Sequence, residues 1–139
     1  MLTAGPARKV TIYVSENSKY HGQSAYAAIL DFLFYRAVSG ATVNRGIAGF
    51  GADHHMHTAR IESLAADLPV TIEFVESPQK VEELLPKLQE MAGTGLIEVQ
   101  DTTVVKASEA ASKKAPQPSA PALKREGKAK LMRHLHRRK

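Results

Sequence analysis

The residues with the clearest chemical potential lie in one stretch, GIAGFGADHHMHTA at residues 46–59, which combines three glycines with three histidines. Closely spaced glycines leave backbone N–H groups open to an anion, because no side chain screens them. No helical pattern follows the glycines, and no Lys or Arg lies between Gly46 and Thr58, so neither a Walker loop nor a Rossmann turn is supported. From the residues alone, the stretch is a phosphate cradle or a flexible loop.

The three histidines offer a second chemistry. The imidazoles of His54, His55 and His57 can bind a divalent metal such as zinc, nickel or copper. In an extended strand His55 and His57 would share one face, and Asp53 is the adjacent carboxylate. The alternative is a mobile polar loop that happens to contain imidazoles.

The pattern of apolar residues around this stretch predicts four strands and two helices. The strands are residues 10–14, 41–45 and 70–76, with a last strand formed by 96–99 and 102–106 and broken at Gln100 and Asp101. One helix is predicted after the first strand and one after the third. Their apolar stripes are Tyr26, Ile29, Leu30, Leu33 and Ala37 in the first helix, and Val81, Leu84, Leu85, Leu88, Met91 and Ala92 in the second.

Helix boundaries are indicated by capping residues. They are Ser24 and Gly40 for the first helix, and Ser77, Pro78, Gly93 and Gly95 for the second. Pro86 lies inside the second stripe. Because proline has no backbone N–H to donate, we expect it to kink the helix or to restart it.

The element order predicts an α+β fold, the ferredoxin-like βαββαβ sandwich. Right-handed crossovers place both helices on one face of a four-stranded antiparallel sheet. The other face of the sheet would then lie bare, lined by alternate residues such as Thr11, Tyr13, Thr71 and Glu73. A bare face of this kind suggests burial by oligomerisation.

Composition excludes several protein classes. The 139 residues are 43% apolar and 24% charged, without an apolar run of 18 residues or a secretory signal, so we expect a cytoplasmic globular protein. The absence of cysteine rules out disulfides, thiolate zinc sites and cysteine nucleophiles. No Ser-His-Asp order, paired acid site or Walker lysine is found, so an enzyme is the weakest interpretation.

Charge divides the chain into unlike parts. Residues 1–106 hold 9 Lys/Arg and 12 Asp/Glu, net −3, whereas residues 107–139 hold 10 and 2, net +8. We therefore expect an N-terminal extension at 1–8, a folded domain at 9–106 and a disordered basic tail at 107–139, rich in Ala, Pro and Lys. Such a tail can contact an anionic membrane or nucleic acid, or can simply keep the protein soluble.

Several blocks together resemble one family. KVTIYV, YHGQSAY, SGATVNRGIAGFG, HTARI, DLPVTIEFVE and LLPKLQEM follow the order and spacing of PII-like proteins of the domain-of-unknown-function-190 type, over residues 9–106. That family is similar to the PII nitrogen-regulatory proteins and to the CutA proteins. The resemblance implies ferredoxin-like subunits assembled as a homotrimer, with ligand sites in the clefts between subunits.

The resemblance also implies a binding site for an adenine nucleotide. Gly49, Phe50 and Gly51 resemble the glycine turn whose backbone contacts phosphate in PII proteins, and Thr42 resembles the threonine beside the adenine. Residues 52–68 resemble the mobile loop that PII proteins present to a partner, often a membrane transporter or channel or an enzyme.

Two further residues are candidates at this site. His21, in the YHG block, can contact ligand or cap a helix, and we favour the structural role. Arg45 can meet phosphate from the end of its strand, or be a solvated or intersubunit charge.

The chain departs from the PII pattern in its charges. PII proteins carry a basic residue after the glycine turn, where this chain has Ala52 and Asp53, and a lysine in the loop after the second helix, where GTGLIEVQD has none. Fewer charge-assisted bonds should weaken triphosphate binding. The first hypothesis is a regulatory protein that binds ATP, ADP, AMP or another small anion; the alternative is a CutA-like divalent-metal protein that uses His54, His55 and His57.

Overall fold

The structure is a computed structural model that describes residues 1–59 and 67–109. The middle of the predicted partner loop 52–68 and nearly all of the predicted basic tail 107–139 lie outside these ranges. Within them, no helix is long and apolar enough to cross a membrane.

Four longer strands form the main sheet, and four two-residue strands form two small hairpins. The strands are β1 Gly5–Ser15, β2 Lys19–Tyr20, β3 Gln23–Ser24, β4 Ala41–Arg45, β5 Ala48–Gly49, β6 His57–Thr58, β7 Pro69–Glu76 and β8 Leu96–Val104, and the helices are α1 Ala25–Tyr35 and α2 Pro78–Ala92. The main sheet has the order β4-β7-β1-β8, with every neighbouring pair antiparallel. This topology confirms the predicted ferredoxin-like α+β fold.

The core lies between the two helices and one face of the sheet. In β1 the side chains of Val10, Ile12 and Val14 alternate onto this face and join Ile29 of α1 and Leu88 of α2 in one buried cluster. Fully burying an aliphatic side chain contributes about 1.5–3 kcal/mol. Both helices are therefore held on the same side of the sheet, as the right-handed connections require.

The first strand was predicted too short, and the last strand was predicted with a break that the structure does not have. β1 begins at Gly5 because its first half pairs with the second half of β8, up to the partners Gly5 and Val104. The predicted break at Gln100 and Asp101 is absent, since both residues keep register partners in β1. Local turn propensity is overridden here by pairing between residues that are distant in the sequence.

The helices differ from the prediction at the end of α1 and at Pro86 inside α2. α1 ends at Tyr35, well before Gly40, and Arg36 caps it through backbone hydrogen bonds. α2 begins after Ser77, whose hydroxyl accepts a hydrogen bond from the Lys80 N–H, and it continues without a restart through Pro86. Pro86 lies on the exposed side of α2, where water can satisfy the carbonyl that loses its donor.

Candidate functional site

The glycine- and histidine-containing stretch forms a small β-hairpin. β5 pairs with β6 so that Ala48 is opposite Thr58 and Gly49 is opposite His57. The first residue of the stretch is attached to the main sheet, because the Gly46 N–H donates to the Pro69 carbonyl at 2.7 Å. The hairpin is thus an extension that leaves the sheet where β4 ends and β7 begins.

Packing explains two of the three glycines of the hairpin. A Cβ at Gly46 or Gly49 would lie 2.8 or 3.0 Å from Cγ of Pro69, so packing restricts both positions. Among the residues that the structure describes, a Cβ at Gly51 would meet nothing within 4 Å, and Gly51 has no left-handed φ. The fold therefore gives no reason for glycine at Gly51, and the exposed backbone there is open to a ligand.

The histidines follow the glycine turn without converging. The His54 N–H closes the turn by donating to the Gly51 carbonyl at 3.0 Å, and its ring stacks on Phe50 with centroids 5.9 Å apart. His57 lies on the other side of the hairpin tip, with Nε2 at 3.6 Å from the Asp53 carboxylate.

Asp53 organises this tip. Its carboxylate accepts the His55 backbone N–H at 3.1 Å. That hydrogen bond is the largest influence and, together with the contact to His57, holds the pKa of Asp53 below its ordinary value, although desolvation acts in the opposite direction. Asp53 therefore stabilises the turn in its ionised form.

The predicted metal site is not assembled in this hairpin. In residues 1–59 and 67–109, no group of three or more His, Cys, Asp or Glu side chains is arranged to hold a metal ion. The reason is geometric: His54 stacks on Phe50, whereas His57 contacts Asp53. A zinc, nickel or copper ion would need three ligands from one side of the hairpin.

Thr42 and Arg45 lie on opposite faces of β4. Thr42 is opposite Glu73, on the face away from the helices, whereas Arg45 is opposite Val70, on the face of the core. Arg45 ends the strand and its Nη1 donates to Oε1 of Glu16 at 2.9 Å. The sequence analysis assigned both residues to one ligand site. Within one subunit, however, they do not lie on the same face of the sheet.

His21 occupies a tight turn between β2 and β3. His21 and Gly22 both have positive φ, at 48° and 81°, and Tyr20 is opposite Gln23, as in a type I′ hairpin. The imidazole stacks on the Tyr20 ring with centroids 4.2 Å apart. A structural reason for His21 is thus present in the fold itself.

A polar cluster attaches this turn to α2. The Lys87 ammonium donates to the Tyr20 hydroxyl at 2.9 Å and to the Glu90 carboxylate at 3.2 Å, and the Tyr20 hydroxyl donates to Glu90 at 3.1 Å. These hydrogen bonds raise the pKa of Lys87 and lower that of Glu90. Sequence reasoning missed the cluster, because Tyr20 and Lys87 are far apart in the chain and no local pattern links them.

The glycines after α2 are required by the fold. Gly93 caps the helix with φ 57°, and a Cβ on Gly95 would collide with the carbonyl oxygen of Tyr13. Because packing accounts for both glycines, they give no independent indication of a phosphate loop. Among the predicted site residues, Gly51 is the glycine that the fold leaves unexplained.

Comparison with known proteins finds a matching family model and similar proteins. Residues 7–104 match the model of the DUF190 family, described as "Uncharacterized ACR". A UPF0166 protein of Methanocaldococcus jannaschii is 37% identical over 101 residues, which are 72% of this chain and 93% of that protein. A UPF0166 protein of Aquifex aeolicus is 30% identical over 94 residues, 68% of this chain and 89% of that protein.

Solved structures show the same fold. CPII, a nitrogen regulatory PII-like protein from Thiomonas intermedia K12 bound to ADP, AMP and bicarbonate, has a TM-score of 0.57 at 22% identity, over 76% of this chain and 94% of that chain. CPII bound to ADP and bicarbonate has a TM-score of 0.55 at 23% identity, over 76% and 95%. At this level of identity the likeness is one of fold.

Proposed function

Because the chain belongs to the DUF190 family and its fold is that of PII-like proteins, we propose that it is a regulatory protein without enzymatic activity that binds an adenine nucleotide. The nucleotide phosphates contact the turn formed by Gly49, Phe50 and Gly51, and the hairpin changes its conformation when they bind. Thr42 lies beside the adenine.

The observation that carries this proposal is the unexplained glycine at position 51. Among the described residues, nothing lies within 4 Å of a Cβ at this position, and its φ is not left-handed, so these residues would accept a larger side chain. A backbone that must stay accessible to an anion is a physical reason for glycine at such a position. The solved PII-like relative CPII is described as bound to ADP and AMP, which supports this ligand class.

We propose a mono- or diphosphate rather than a triphosphate as the ligand. In the hairpin the residues after the glycine turn are Ala52 and Asp53, so these two positions offer no cation to a terminal phosphate. The Asp53 carboxylate is stabilised as an anion and repels additional negative charge. ADP and AMP therefore suit the site better than ATP.

The proposed assembly is a homotrimer with the ligand between subunits. On the sheet face away from the helices, Tyr13 and Leu96 are register partners and both side chains are exposed. A second subunit on this face would bury them. It would also complete a site whose members Thr42 and Arg45 lie on opposite faces of β4. Light scattering during gel filtration measures the assembly directly.

The proposed partner surface is the hairpin. Ile47, Phe50 and Met56 are 81%, 61% and 66% exposed, respectively, an unusual concentration of apolar side chains for so short a segment. A membrane transporter, a channel or an enzyme is the partner class that the family resemblance implies. Since Phe50 belongs to both the glycine turn and this apolar set, nucleotide binding would alter the partner surface.

The test is a thermal unfolding series on the full-length chain stripped of metal. ADP, AMP, ATP and zinc are each added to the wild type, to Gly51→Val and to Gly40→Val. Gly40 is a matched control, because it also has open space and no positive φ but lies at the other end of β4. Ligand at 100 times its dissociation constant stabilises by about 2.7 kcal/mol, which is several degrees for a small domain.

We expect ADP or AMP to raise the midpoint of the wild type and of Gly40→Val, and to leave Gly51→Val unchanged. Equal shifts in all three proteins would remove the glycine turn from the site. A shift with zinc alone, lost when His54, His55 and His57 are replaced, would support the metal-binding alternative instead.

A further inference from the structure

Both ends of the long loop after β4 are tied to the two residues that follow β1. At the entrance of the loop, Arg45 Nη1 donates to Glu16 Oε1 at 2.9 Å. At its exit, the Glu16 N–H donates to the Leu68 carbonyl at 2.9 Å, and the Asn17 N–H donates to Asp67 Oδ1 at 2.9 Å. These five residues form a loop-base clamp, in which Glu16 contacts both ends.

The two side chains of the ion pair are unequally exposed. The Glu16 side chain is 23% exposed and the Arg45 side chain 62%. The carboxylate is thus the more fixed partner, while the guanidinium lies largely in solvent and can turn to another anion. Within residues 1–59, Arg45 is the cation nearest to the hairpin in sequence, since residues 46–59 contain no Lys or Arg.

We propose that Glu16 competes with the nucleotide phosphate for Arg45, so that ligand binding opens the loop-base clamp. The inference rests on the nucleotide-binding function proposed above. A guanidinium presents the same planar set of donors to a carboxylate and to a phosphate, so the donor bound to Glu16 is unavailable to the ligand. In the ligand-free chain, Glu16 occupies Arg45 in place of the phosphate.

This competition links the ligand to the loop. When Arg45 turns to a phosphate, Glu16 loses the charge partner that holds its side chain at the loop entrance. Its backbone N–H and that of Asn17 hold the loop exit at Leu68 and Asp67, so movement of the released Glu16 weakens the restraint on the loop exit, while the Gly46 N–H bond to the Pro69 carbonyl still holds the loop base to the sheet. Coupling is reciprocal, and a change that weakens the clamp must therefore raise ligand affinity.

Calorimetric titration of the full-length protein with ADP gives the sign of the effect. Glu16→Gln should bind ADP more tightly than the wild type, by about two- to five-fold. This change in affinity corresponds to the free energy of an exposed ion pair, about 0.2–1 kcal/mol. Arg45→Gln should bind at least about ten-fold more weakly, because a charge-assisted bond is lost. Asp101→Asn is the matched control, since Asp101 lies on the far edge strand β8 and the change removes its exposed ion pair with Arg8 of β1. It should leave the affinity unchanged.

Hydrogen exchange gives a second readout that affinity alone does not supply. The amides of Glu16 and Asn17 should exchange faster in the wild type when ADP is bound, and Arg45→Gln should abolish this difference. Thermal unfolding of each variant without ligand verifies that it is folded.

The outcomes separate the two proposals. If the wild type binds no ADP, both the proposed function and the competition are wrong. If the wild type binds ADP while Glu16→Gln binds equally or more weakly, the nucleotide site stands and the competition is overturned, because Glu16 then positions Arg45 for the ligand or has no part in binding.

Discussion

The buried carboxylate of Glu76 accepts a hydrogen bond from the Ser39 backbone N–H at 2.7 Å, and so joins the end of β7 to the connection between α1 and β4. Its other oxygen accepts from the Ser77 N–H at 3.3 Å, where α2 begins. The Lys80 ammonium adds a hydrogen bond to the Ala37 carbonyl at 2.9 Å. This junction sets the start of β4 and therefore the position of Thr42.

Replacing Glu76 by alanine should destabilise the protein. Glu76 is 1% exposed, so Glu76→Ala leaves the Ser39 N–H without its acceptor, at a cost of about 1–3 kcal/mol. Urea unfolding at one fixed protein concentration measures the loss. Glu83→Ala, on the exposed side of α2, should change stability by no more than about 0.5 kcal/mol. Equal effects of the two substitutions would show that the junction contributes nothing.

Gly95→Ala should be far more harmful than an ordinary glycine substitution. The new Cβ would collide with the Tyr13 carbonyl oxygen and lie 3.0 Å from Val14 Cγ1, so the α2–β8 connection must move away from β1. Overpacking of this kind costs about 1–3 kcal/mol. Gly40→Ala, with open space and no positive φ, should instead stabilise by about 0.4–1 kcal/mol. Urea midpoints that fail to separate the two variants would contradict this packing.

A comparison of His21→Asn with His21→Val should distinguish a role of His21 in the turn from a role in ligand binding. Asn favours the left-handed conformation that His21 adopts, so His21→Asn should fold as well as the wild type and keep its ADP affinity within about two-fold. His21→Val should cost about 1–2 kcal/mol, because a β-branched residue resists positive φ. Loss of ADP binding in a stable His21→Asn protein would identify His21 as a ligand contact.

The hairpin tip should loosen in acid. The pKa of Asp53 lies below its ordinary 3.8, chiefly because the carboxylate accepts the His55 N–H. A lowered folded-state pKa means that the stabilisation is present above pH 3.8 and is lost as the pH falls through the lower folded value. The His55 amide resonance should therefore show a transition in acid as Asp53 is protonated. Asp53→Asn should shift that resonance at neutral pH and flatten the acid transition; an identical titration in both proteins would exclude Asp53 as the cause.

The fold could be predicted from the sequence because its signals are local. The alternation in β7 and the helical spacing of Val81, Leu84 and Leu88 each predict which side chains face a core. β4 was predicted with its observed bounds. Elements whose ends depend on partners were less accurate: β8 continues through Gln100 and Asp101 because β1 supplies hydrogen bonds that no local pattern shows.

The candidate site was predicted only as a set of residues. The sequence by itself determined the glycine turn, the three histidines and the absence of a cation in residues 46–59, since these depend on residue type and spacing alone. Tertiary structure decided that Arg45 is paired with Glu16 and that His54 and His57 have different neighbours. It also decided that packing restricts Gly95, whereas among the described residues nothing would crowd a side chain at Gly51. Such relationships depend on the distance between side chains after the chain has folded, and residues separated in sequence meet through strand pairing and turns that are fixed by the whole sheet.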